Sequence, residues 1–366
     1  MEWVKVQVLG KGSYGLVSLA VNFEDPSLPF IAIKSSRLRD SYSLEKEKRI
    51  LEDLEGSSPH IIMFLADTIS FDEELGWVYD LLLECAPGGT LSDLLKNRGG
   101  CLPEYDVQDC TRMILKGLCS IHDKGYVHCD LKPANILVVP CQDGTTCLKI
   151  ADFGLTKEPG EEMQYKYSYV FKFRGTPLYM SPESFLCGEI ESALDIWSLG
   201  CIVVEMLTGK PAMRWVGGHQ MNFLSGCDFV MQDPNIPENM SDMGKDFLRK
   251  CFARNPRERW TAETLLNHPY VLPQLAVMSA TISLQVPTDG WNSQHWDSNV
   301  PPPEWRSQPW DSNVPPAGWC SFSSENSLSS SCSQVYHTVC NETTQQRWQE
   351  KAWNFEEDAY MAGALV

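Results

Sequence analysis

The sequence has 366 residues, with 48 acidic residues against 30 Lys and Arg, and a formal net charge of −18. A chain of this length can bury one large two-lobed core or two modest domains. The charge argues against nucleic acid or an anionic membrane surface as the main partner, because both are themselves negative.

The fourteen cysteines are scattered and form no Cys-x-x-Cys pair, which argues against a disulfide framework and against structural zinc. We expect them to be reduced and mostly buried. The sequence also shows no signal peptide, no apolar run long enough for a membrane span and no lipidation motif. These features predict a soluble protein of the cytoplasm, with the nucleus as an additional location.

The first part of the chain is predicted to consist mainly of strands. Val4, Val6 and Val8 alternate with polar residues, which indicates a half-exposed strand. The elements predicted after it are strands over residues 16–21 and 30–34, a helix over 42–54, and strands again to about residue 83.

From residue 90 onward the pattern becomes mainly helical. Helices are predicted over residues 91–96, 106–124, 193–208, 241–253 and 261–267. A small lobe rich in antiparallel strands, with one key helix, followed by a helical large lobe is an α+β, bilobal arrangement. We place the small lobe and the hinge at residues 1–86 and the large lobe at residues 87–273.

Residues 274–366 are rich in Ser, Pro and Trp and are predicted to form an acidic, largely disordered tail. Segment 291–318 carries a short tandem repeat, too short for a solenoid. Because tryptophan brings a large apolar area, we expect the tail to dock on a partner or to fold back; a tolerated duplication is the alternative. Residues 348–359 have the spacing of a short amphipathic helix that could enter a partner's groove.

A glycine-rich turn, Gly10-Lys11-Gly12-Ser13-Tyr14-Gly15, joins the first two predicted strands. Without side chains at its three glycines, backbone N–H groups can approach phosphate oxygens closely. A strand follows the turn, whereas a dinucleotide site would require a helix there. An ordinary glycine-rich hairpin is the alternative.

Lys34 closes the strand Ile31-Ala32-Ile33-Lys34. The strand period places it on the face of Ala32, towards the cleft, where it could neutralise phosphate charge; a lysine that reaches out to solvent at a strand end is the alternative. Glu47 lies within the apolar stripe of the next helix, and Glu45 does not. A carboxylate on a core face is costly unless it is paired, so we predict an ion pair between Lys34 and Glu47.

The segment Asp130-Leu131-Lys132-Pro133-Ala134-Asn135, followed by Asp152-Phe153-Gly154, predicts phosphoryl transfer. Asp130 would orient the proton of an attacking hydroxyl, and Lys132 would offset charge on the transferred group. Asn135 and Asp152 would hold Mg²⁺, which makes ATP and Mg²⁺ the predicted cofactors. As an alternative, the two aspartates could merely cap turns.

With these motifs in this order, residues 3 to about 272 resemble the eukaryotic protein kinase family. The resemblance implies an ATP site formed by Leu9, Val17, Ala32 and Leu137 around the adenine, by Leu83 at the gatekeeper position, and by backbone groups near Glu84 and Ala86 at the hinge. It also implies that Glu183, in Ser181-Pro182-Glu183, pairs with Arg259. Lysine at position 132 is typical of Ser/Thr kinases.

One departure from the family pattern is Cys129, where an arginine usually precedes the catalytic aspartate and pairs with a phosphorylated activation-loop residue. Activity would then depend less on loop phosphorylation. A tolerated small residue and a redox-reactive thiol are the alternatives. In the activation segment, which runs over residues 152–183, residues 165–169 offer hydroxyls for phosphorylation, with Lys166, Lys172 and Arg174 as charge partners. Thr176 is expected to bond near Asp130 and Lys132.

Three stretches resemble the plant MEKK-like MAP kinase kinase kinases: residues 84–93, 125–130 and 174–183. The resemblance implies a protein substrate, the activation loop of a MAP kinase kinase, and a role in plant stress signalling. A scaffold or pseudokinase that acts through the Trp-rich tail is one alternative. A Ser/Thr kinase outside the MAP kinase cascade, such as a cytoplasmic receptor-like kinase, is another.

Overall fold

The small lobe is built on a five-stranded sheet with antiparallel neighbours in the order β1-β2-β3-β5-β4. The computed structural model describes residues 3–12, 15–22, 30–140, 145–161, 174–186, 188–213 and 233–273. Its first strands are β1 (Trp3–Gly12), β2 (Gly15–Asn22), β3 (Ile31–Arg37), β4 (Phe64–Asp72) and β5 (Gly76–Glu84). The predicted strands are therefore present, and the central strand β3 carries Lys34 between β2 and β5.

β1 is a strand as predicted, but its alternating valines face outward, with exposed fractions between 40% and 57%. Its polar face packs instead, because Lys5 pairs with Asp80 of β5 at 2.8 Å. Asp80 is buried and also accepts hydrogen bonds from Ser35 and Ser70, both at 2.5 Å. A buried carboxylate is stable only when such partners satisfy it. Trp3, on the same face of β1 as Lys5, packs against the apolar core of the sheet, so an ion pair and an apolar contact both accompany the inward turn of this face.

Helix α1 (Tyr42–Asp53) packs against the sheet with the apolar stripe predicted from its sequence. Leu44, Ile50 and Leu51 are buried on this stripe, and Glu47 is buried among them. Glu45 is exposed, as its position off the stripe predicts. The helix therefore carries one carboxylate into the interior, towards β3.

The large lobe is formed mainly by helices. They are α2 (Leu91–Asn97), α3 (Glu104–Asp123), α4 (Pro182–Leu186), α5 (Ala193–Thr208), α6 (Asp242–Cys251) and α7 (Ala262–Leu266). α5 is buried on nearly all sides, as its apolar composition requires. A capping box between Thr90 and Asp93 starts α2, and Ser241 and Thr261 cap α6 and α7.

A β-hairpin interrupts the helical lobe where the sequence pattern predicts mainly helix. β6 (Ile136–Pro140) pairs with β7 (Thr146–Ile150) in an antiparallel register that sets Ile136 opposite Ile150. The two strands are only five residues long, and short apolar runs of this kind do not distinguish strand from helix by period. The hairpin brings Asn135, before β6, close to Asp152, after β7.

These elements confirm the predicted α+β, bilobal fold. The boundary at residues 86 and 87 remains a proposal, and the tail of residues 274–366 with its repeat lies outside the described residues. Among the described residues, none of the helices combines the length and the hydropathy of a transmembrane span. The eight cysteines in those ranges are free thiols, as predicted.

The large lobe contains the predicted ion pair between Glu183 and Arg259. The guanidinium lies 2.7 Å and 3.2 Å from the two carboxylate oxygens. It also donates to the carbonyl oxygens of Ala193 and Ala253 and stacks on Trp197, 5.2 Å from the ring centroid. Arg259 thus joins the end of the activation segment to the start of α5.

Arg259→Met is expected to lower the free energy of unfolding by about 3–5 kcal/mol, because it leaves the mostly buried Glu183 carboxylate without its cation. Urea denaturation of the two proteins measures the difference. Arg257→Met is the matched control, since Arg257 is exposed, and it should change stability by less than about 0.5 kcal/mol. Equal losses in the two variants would show that the buried pair adds no stability.

Candidate active site

Three charged side chains from separate elements meet at the cleft face of β3. Lys34 Nζ lies 2.6 Å from Glu47 Oε2 of α1 and 2.8 Å from Asp152 Oδ1, after β7. The lysine and the glutamate side chains are 11% and 1% exposed, so this lysine does not reach out to solvent. The ion pair predicted between Lys34 and Glu47 is present.

The electrostatics of this triad leave it with a net negative charge, since one ammonium faces two carboxylates. Burial alone would lower the pKa of Lys34, but the charges and hydrogen bonds of Asp152 and Glu47 outweigh it and raise the pKa above its usual value. Burial raises the pKa of Glu47 despite the attraction of Lys34. For Asp152, burial is outweighed by Lys34, and the pKa falls. Lys34 therefore stays charged, and Asp152 is the more readily ionised of its two partners.

The loop after α3 brings the predicted catalytic residues into one hydrogen-bonded group. Lys132 Nζ donates to Asp130 Oδ2 at 2.7 Å and to Thr176 Oγ1 at 2.8 Å. Thr176 in turn donates to Asp130 Oδ1 at 2.6 Å. Asn135 Nδ2 donates to the backbone oxygen and to Oδ2 of Asp130, at 2.8 Å and 3.1 Å. The contact expected of Thr176 with Asp130 and Lys132 is present.

The backbone of this loop is held by Asp195 at the start of α5, a residue whose role the sequence did not reveal. Its carboxylate accepts hydrogen bonds from the backbone amides of His128 and Cys129, at 2.8 Å and 3.0 Å. It also contacts His122 Nε2 at 2.9 Å. Cys129 has a positive φ of 70°, which is unfavourable for a residue with a side chain, and these bonds help to fix it just before Asp130.

Asp152 and Phe153 connect the hairpin to α1. Asp152 also adopts a positive φ, of 68°, and the backbone amide of Phe153 donates to Glu47 Oε1 at 3.2 Å. The Phe153 ring is fully buried and meets His128 edge-on, with centroids 5.2 Å apart. Glu47 thus fixes both Lys34 and the backbone beside Asp152.

The glycine-rich turn is described only in part, because Ser13 and Tyr14 lie outside the described residues. Gly15 has a φ of 144°, and a Cβ there would overlap the backbone oxygen of Ser35. A Cβ on Gly10 would meet no atom within 4 Å. Strand packing therefore requires the glycine at position 15, whereas open space at Gly10 is compatible with the predicted approach of a phosphate.

The residues predicted around the adenine and at the gatekeeper position come from five strands. Strand pairing sets Ala32 opposite Leu83 and Val17 opposite Lys34. Leu9 lies in β1, next to the Gly10 that pairs with Val17, and Leu137 in β6 bridges to Thr90 after the hinge. Their adenine contacts remain predictions, since the structure fixes only their registers.

At the predicted hinge, the Glu84 side chain is hydrogen-bonded within the protein. Its Oε1 accepts hydrogen bonds from the Met63 amide at 2.8 Å and from Lys149 Nζ at 2.5 Å. The Glu84 backbone ends β5 opposite Ile31, and its amide donates to the Met63 carbonyl at 3.0 Å. The side chain and the amide of Glu84 are therefore both bonded within the protein, and contacts of a nucleotide with backbone groups near Glu84 and Ala86 remain a prediction.

The donor set of the predicted metal site fits Mg²⁺ bound together with phosphates. Mg²⁺ prefers oxygen ligands and is usually bound by one or two carboxylates plus substrate phosphates. Asp152 offers a carboxylate and Asn135 an amide oxygen, its nitrogen being bonded to Asp130. Across the described ranges, no cluster of three or more His, Cys, Asp or Glu side chains could hold a metal without such phosphates.

Cys129 does not have the properties of a reactive thiol. It is buried, 3% exposed, and its Sγ donates to the Val127 carbonyl at 3.2 Å. Burial raises the pKa of this thiol to about 12, against the opposing charges of Arg174 and Lys46. The thiolate form that redox chemistry needs is therefore absent at neutral pH, and the redox alternative is disfavoured.

Of the charge partners predicted in the activation segment, Arg174 is described, and it pairs with Glu161 at 2.8 Å. Lys166, Lys172 and the hydroxyls of residues 165–169 lie outside the described residues. The sequence did not reveal Glu161, nor its ion pair with Lys46 of α1. An acidic residue in an irregular segment gives no periodic signal that could have identified it.

Comparison with known proteins agrees with this geometry. Residues 3–271 match the family model described as protein kinase domain. The chain is similar to Mitogen-activated protein kinase kinase kinase 20 of Arabidopsis thaliana, with 43% identity over 279 residues, 74% of this chain and 78% of the relative. Mitogen-activated protein kinase kinase kinase 17 of the same plant is 36% identical to this chain, and the match covers 74% of this chain and 70% of the relative. Mitogen-activated protein kinase kinase kinase 18, also from Arabidopsis thaliana, is 34% identical, and the match covers 81% of this chain and 86% of the relative.

Proposed function

This chain belongs to the protein kinase domain family and is a Ser/Thr protein kinase, and from that premise we propose that it acts as a MAP kinase kinase kinase. The observation that carries the proposal is the 43% identity to a relative of that name over most of both chains. The substrate would be a Ser or Thr in the activation loop of a MAP kinase kinase, and the setting would be stress signalling in plants.

In the reaction, the substrate hydroxyl attacks the γ-phosphorus of ATP while the bond from the γ-phosphorus to the β–γ bridging oxygen breaks and ADP leaves. Asp130 accepts or orients the proton of that hydroxyl. Lys132 bonds to Asp130 and supplies positive charge beside the transferred group. Thr176 links these two side chains, so the segment that shapes the substrate site is joined to the residue that handles the proton.

Lys34 would neutralise negative charge on the α- and β-phosphates, with Glu47 holding it in place at 2.6 Å. Asn135 and Asp152 would hold Mg²⁺. When bound, the ion supplies positive charge that offsets the phosphates. The net negative charge of the Lys34, Glu47 and Asp152 triad favours such a cation. The tail would add a docking contact for a protein partner.

The proposal predicts selective phosphorylation of MAP kinase kinases. We expect the purified full-length protein, with Mg-ATP, to phosphorylate activation-loop Ser or Thr of one member in a panel of catalytically inactive MAP kinase kinases. Mass spectrometry locates the phosphate, and a basic generic protein serves as the comparison substrate. The control variants Lys34→Met and Asp130→Asn should abolish the signal.

Phosphorylation of the generic protein alone would contradict the cascade role and favour a Ser/Thr kinase outside it. Absence of transfer above the controls, with ATP still bound, would favour a scaffold that acts through the tail. Removal of residues 274–366 then distinguishes docking from catalysis, because loss of selectivity without loss of generic activity identifies the tail as the docking element.

A further inference from the structure

A second charged cluster lies between α1 and the activation segment, next to the triad but separate from it. The Glu161 carboxylate bonds to Arg174 through Nη1 at 2.8 Å and Nη2 at 3.2 Å. It also accepts from the Glu158 amide at 3.0 Å and lies 3.5 Å from Lys46 Nζ. One carboxylate therefore joins a cation of α1 to a cation near the end of the activation segment.

Lys46 is unusually buried for a lysine, since its side chain is only 6% exposed. Burial lowers its pKa, as does the nearby Arg174, while Glu161 and Glu158 raise it. A buried ammonium is costly unless an anion lies nearby, and the ion pair with Glu161 supplies that anion. A second pair, Arg49 with Glu158 at 3.7 Å, connects the same helix to the same turn.

Both ends of this cluster are continuous with the catalytic groups. Lys46 directly precedes Glu47, the partner of Lys34. Arg174 precedes Gly175 and Thr176, and a Cβ on Gly175 would overlap the backbone oxygen of Cys129. Arg174 also donates to the carbonyl of buried Thr156 at 3.0 Å. A shift at Glu161 would therefore reach the ion pair on one side and the Asp130 contacts on the other.

The two cations of this cluster, Lys46 and Arg174, share the carboxylate of Glu161. Where the family resemblance leads one to expect an arginine, this chain has the neutral, buried Cys129. Without that arginine, the cations that could bind an anion here are Lys46 and Arg174, which we call the anion site. The Glu161 carboxylate contacts both of them. Burial alone would raise the pKa of Glu161, but the bonds and charges of Arg174, the Glu158 amide and Lys46 outweigh it and lower the pKa to about 2. Glu161 is therefore ionised throughout the neutral range.

We propose that Glu161 is a positioning residue that permanently fills the anion site formed by Lys46 and Arg174, and so holds α1 together with residues 152–161 and 174–183 in the active arrangement without an added phosphate. The proposal needs only the kinase activity and not the identity of the substrate. A generic basic protein can therefore serve in its test, and failure of the MAP kinase kinase assay would not affect it.

The first experiment compares wild-type protein before and after complete dephosphorylation, verified by mass spectrometry. We expect kcat towards the generic substrate to change by less than about twofold. Glu161→Gln, treated in the same way, should lose about 100-fold in kcat, since displacement of catalytic groups by about 1 Å has effects of this size. Glu191→Gln is the matched control, because Glu191 is 77% exposed, and it should behave as wild type.

A double-mutant cycle separates positioning from a general loss of structure. Lys46→Met removes one of the two cations that contact Glu161, so it should lower kcat by part of the loss seen in Glu161→Gln. The combined variant should be no slower than Glu161→Gln alone, because Glu161→Gln already removes the charge that Lys46 contacts. Glu161→Gln leaves the buried Lys46 without its anion and should lower the urea midpoint, whereas the combined variant, which has no ammonium at this position, should recover part of the midpoint but none of the kcat. Loss of wild-type activity on dephosphorylation, or a Glu161→Gln protein as active as the Glu191→Gln control, would overturn the proposal.

Discussion

Asp130→Asn is expected to lower kcat for phosphoryl transfer by about 10²- to 10⁴-fold, the range typical of a lost general base. The amide keeps the size of the side chain and can still accept a hydrogen bond from Lys132 or Thr176, but it cannot take a proton. Nucleotide affinity should change little, since Asp130 is not among the residues predicted to contact ATP. Steady-state kinetics with a generic substrate, together with calorimetric titration of the nucleotide, measure the two quantities.

Asp123→Asn provides a matched control. It removes the same charge as Asp130→Asn, but from an exposed residue at the end of α3. Its kcat should equal that of wild type. If Asp130→Asn retained more than about a tenth of the wild-type kcat while Asp123→Asn was unaffected, the proton of the substrate hydroxyl would have to leave by another route.

The linear motifs made much of this site predictable from the sequence. Asp130 and Asn135 are close in the chain, so a single loop brings them together once it folds. The pair of Lys34 and Glu47 joins two elements, yet the periods of strand and helix were sufficient to predict it. Both side chains had to face inward, and a buried charge requires a partner.

Other features could not be read from periodicity. The alternation in β1 predicts a strand but not which face is buried, because that face meets residues far along the chain: Asp80 pairs with Lys5, and the core of the sheet contacts Trp3. The β6–β7 hairpin is too short for its period to distinguish it from helix. The contacts of Glu161 and Asp195 depend on how distant segments meet. Glu161 lies on no periodic pattern, and the apolar helix around Asp195 indicates that its carboxylate needs a partner but not which residues supply one.

The triad of Lys34, Glu47 and Asp152 has two functions that mutation can separate. As a structural contact, the lysine compensates a carboxylate that is 1% exposed. As a catalytic group, Lys34 would neutralise negative charge on the α- and β-phosphates of ATP. Asp152 differs from Glu47 because its side chain is 33% exposed, so solvent can stabilise its charge when Lys34 is removed.

Lys34→Met is expected to abolish measurable phosphoryl transfer and to lower the free energy of unfolding by about 3–5 kcal/mol, because Glu47 is left buried without a cation. Kinase assays and urea denaturation measure the two effects. The sign of the pH dependence follows from the raised pKa of Glu47. Protonation of Glu47 relieves the unpaired charge, so the stability deficit of the variant should shrink as the pH falls.

The double variant Lys34→Met/Glu47→Gln should recover most of the lost stability and none of the activity. The amide introduced by Glu47→Gln is neutral, and its oxygen could still accept the hydrogen bond that the Phe153 amide gives to Glu47 at 3.2 Å. Replacement of a buried ion pair by neutral groups of similar size is often close to neutral in stability, whereas the phosphate-binding cation is still missing. Recovery of phosphoryl transfer with the stability would show that Lys34 acts only by compensating Glu47. Failure of the stability to recover would show that the destabilisation arises from lost packing of the lysine chain and not from an unpaired charge.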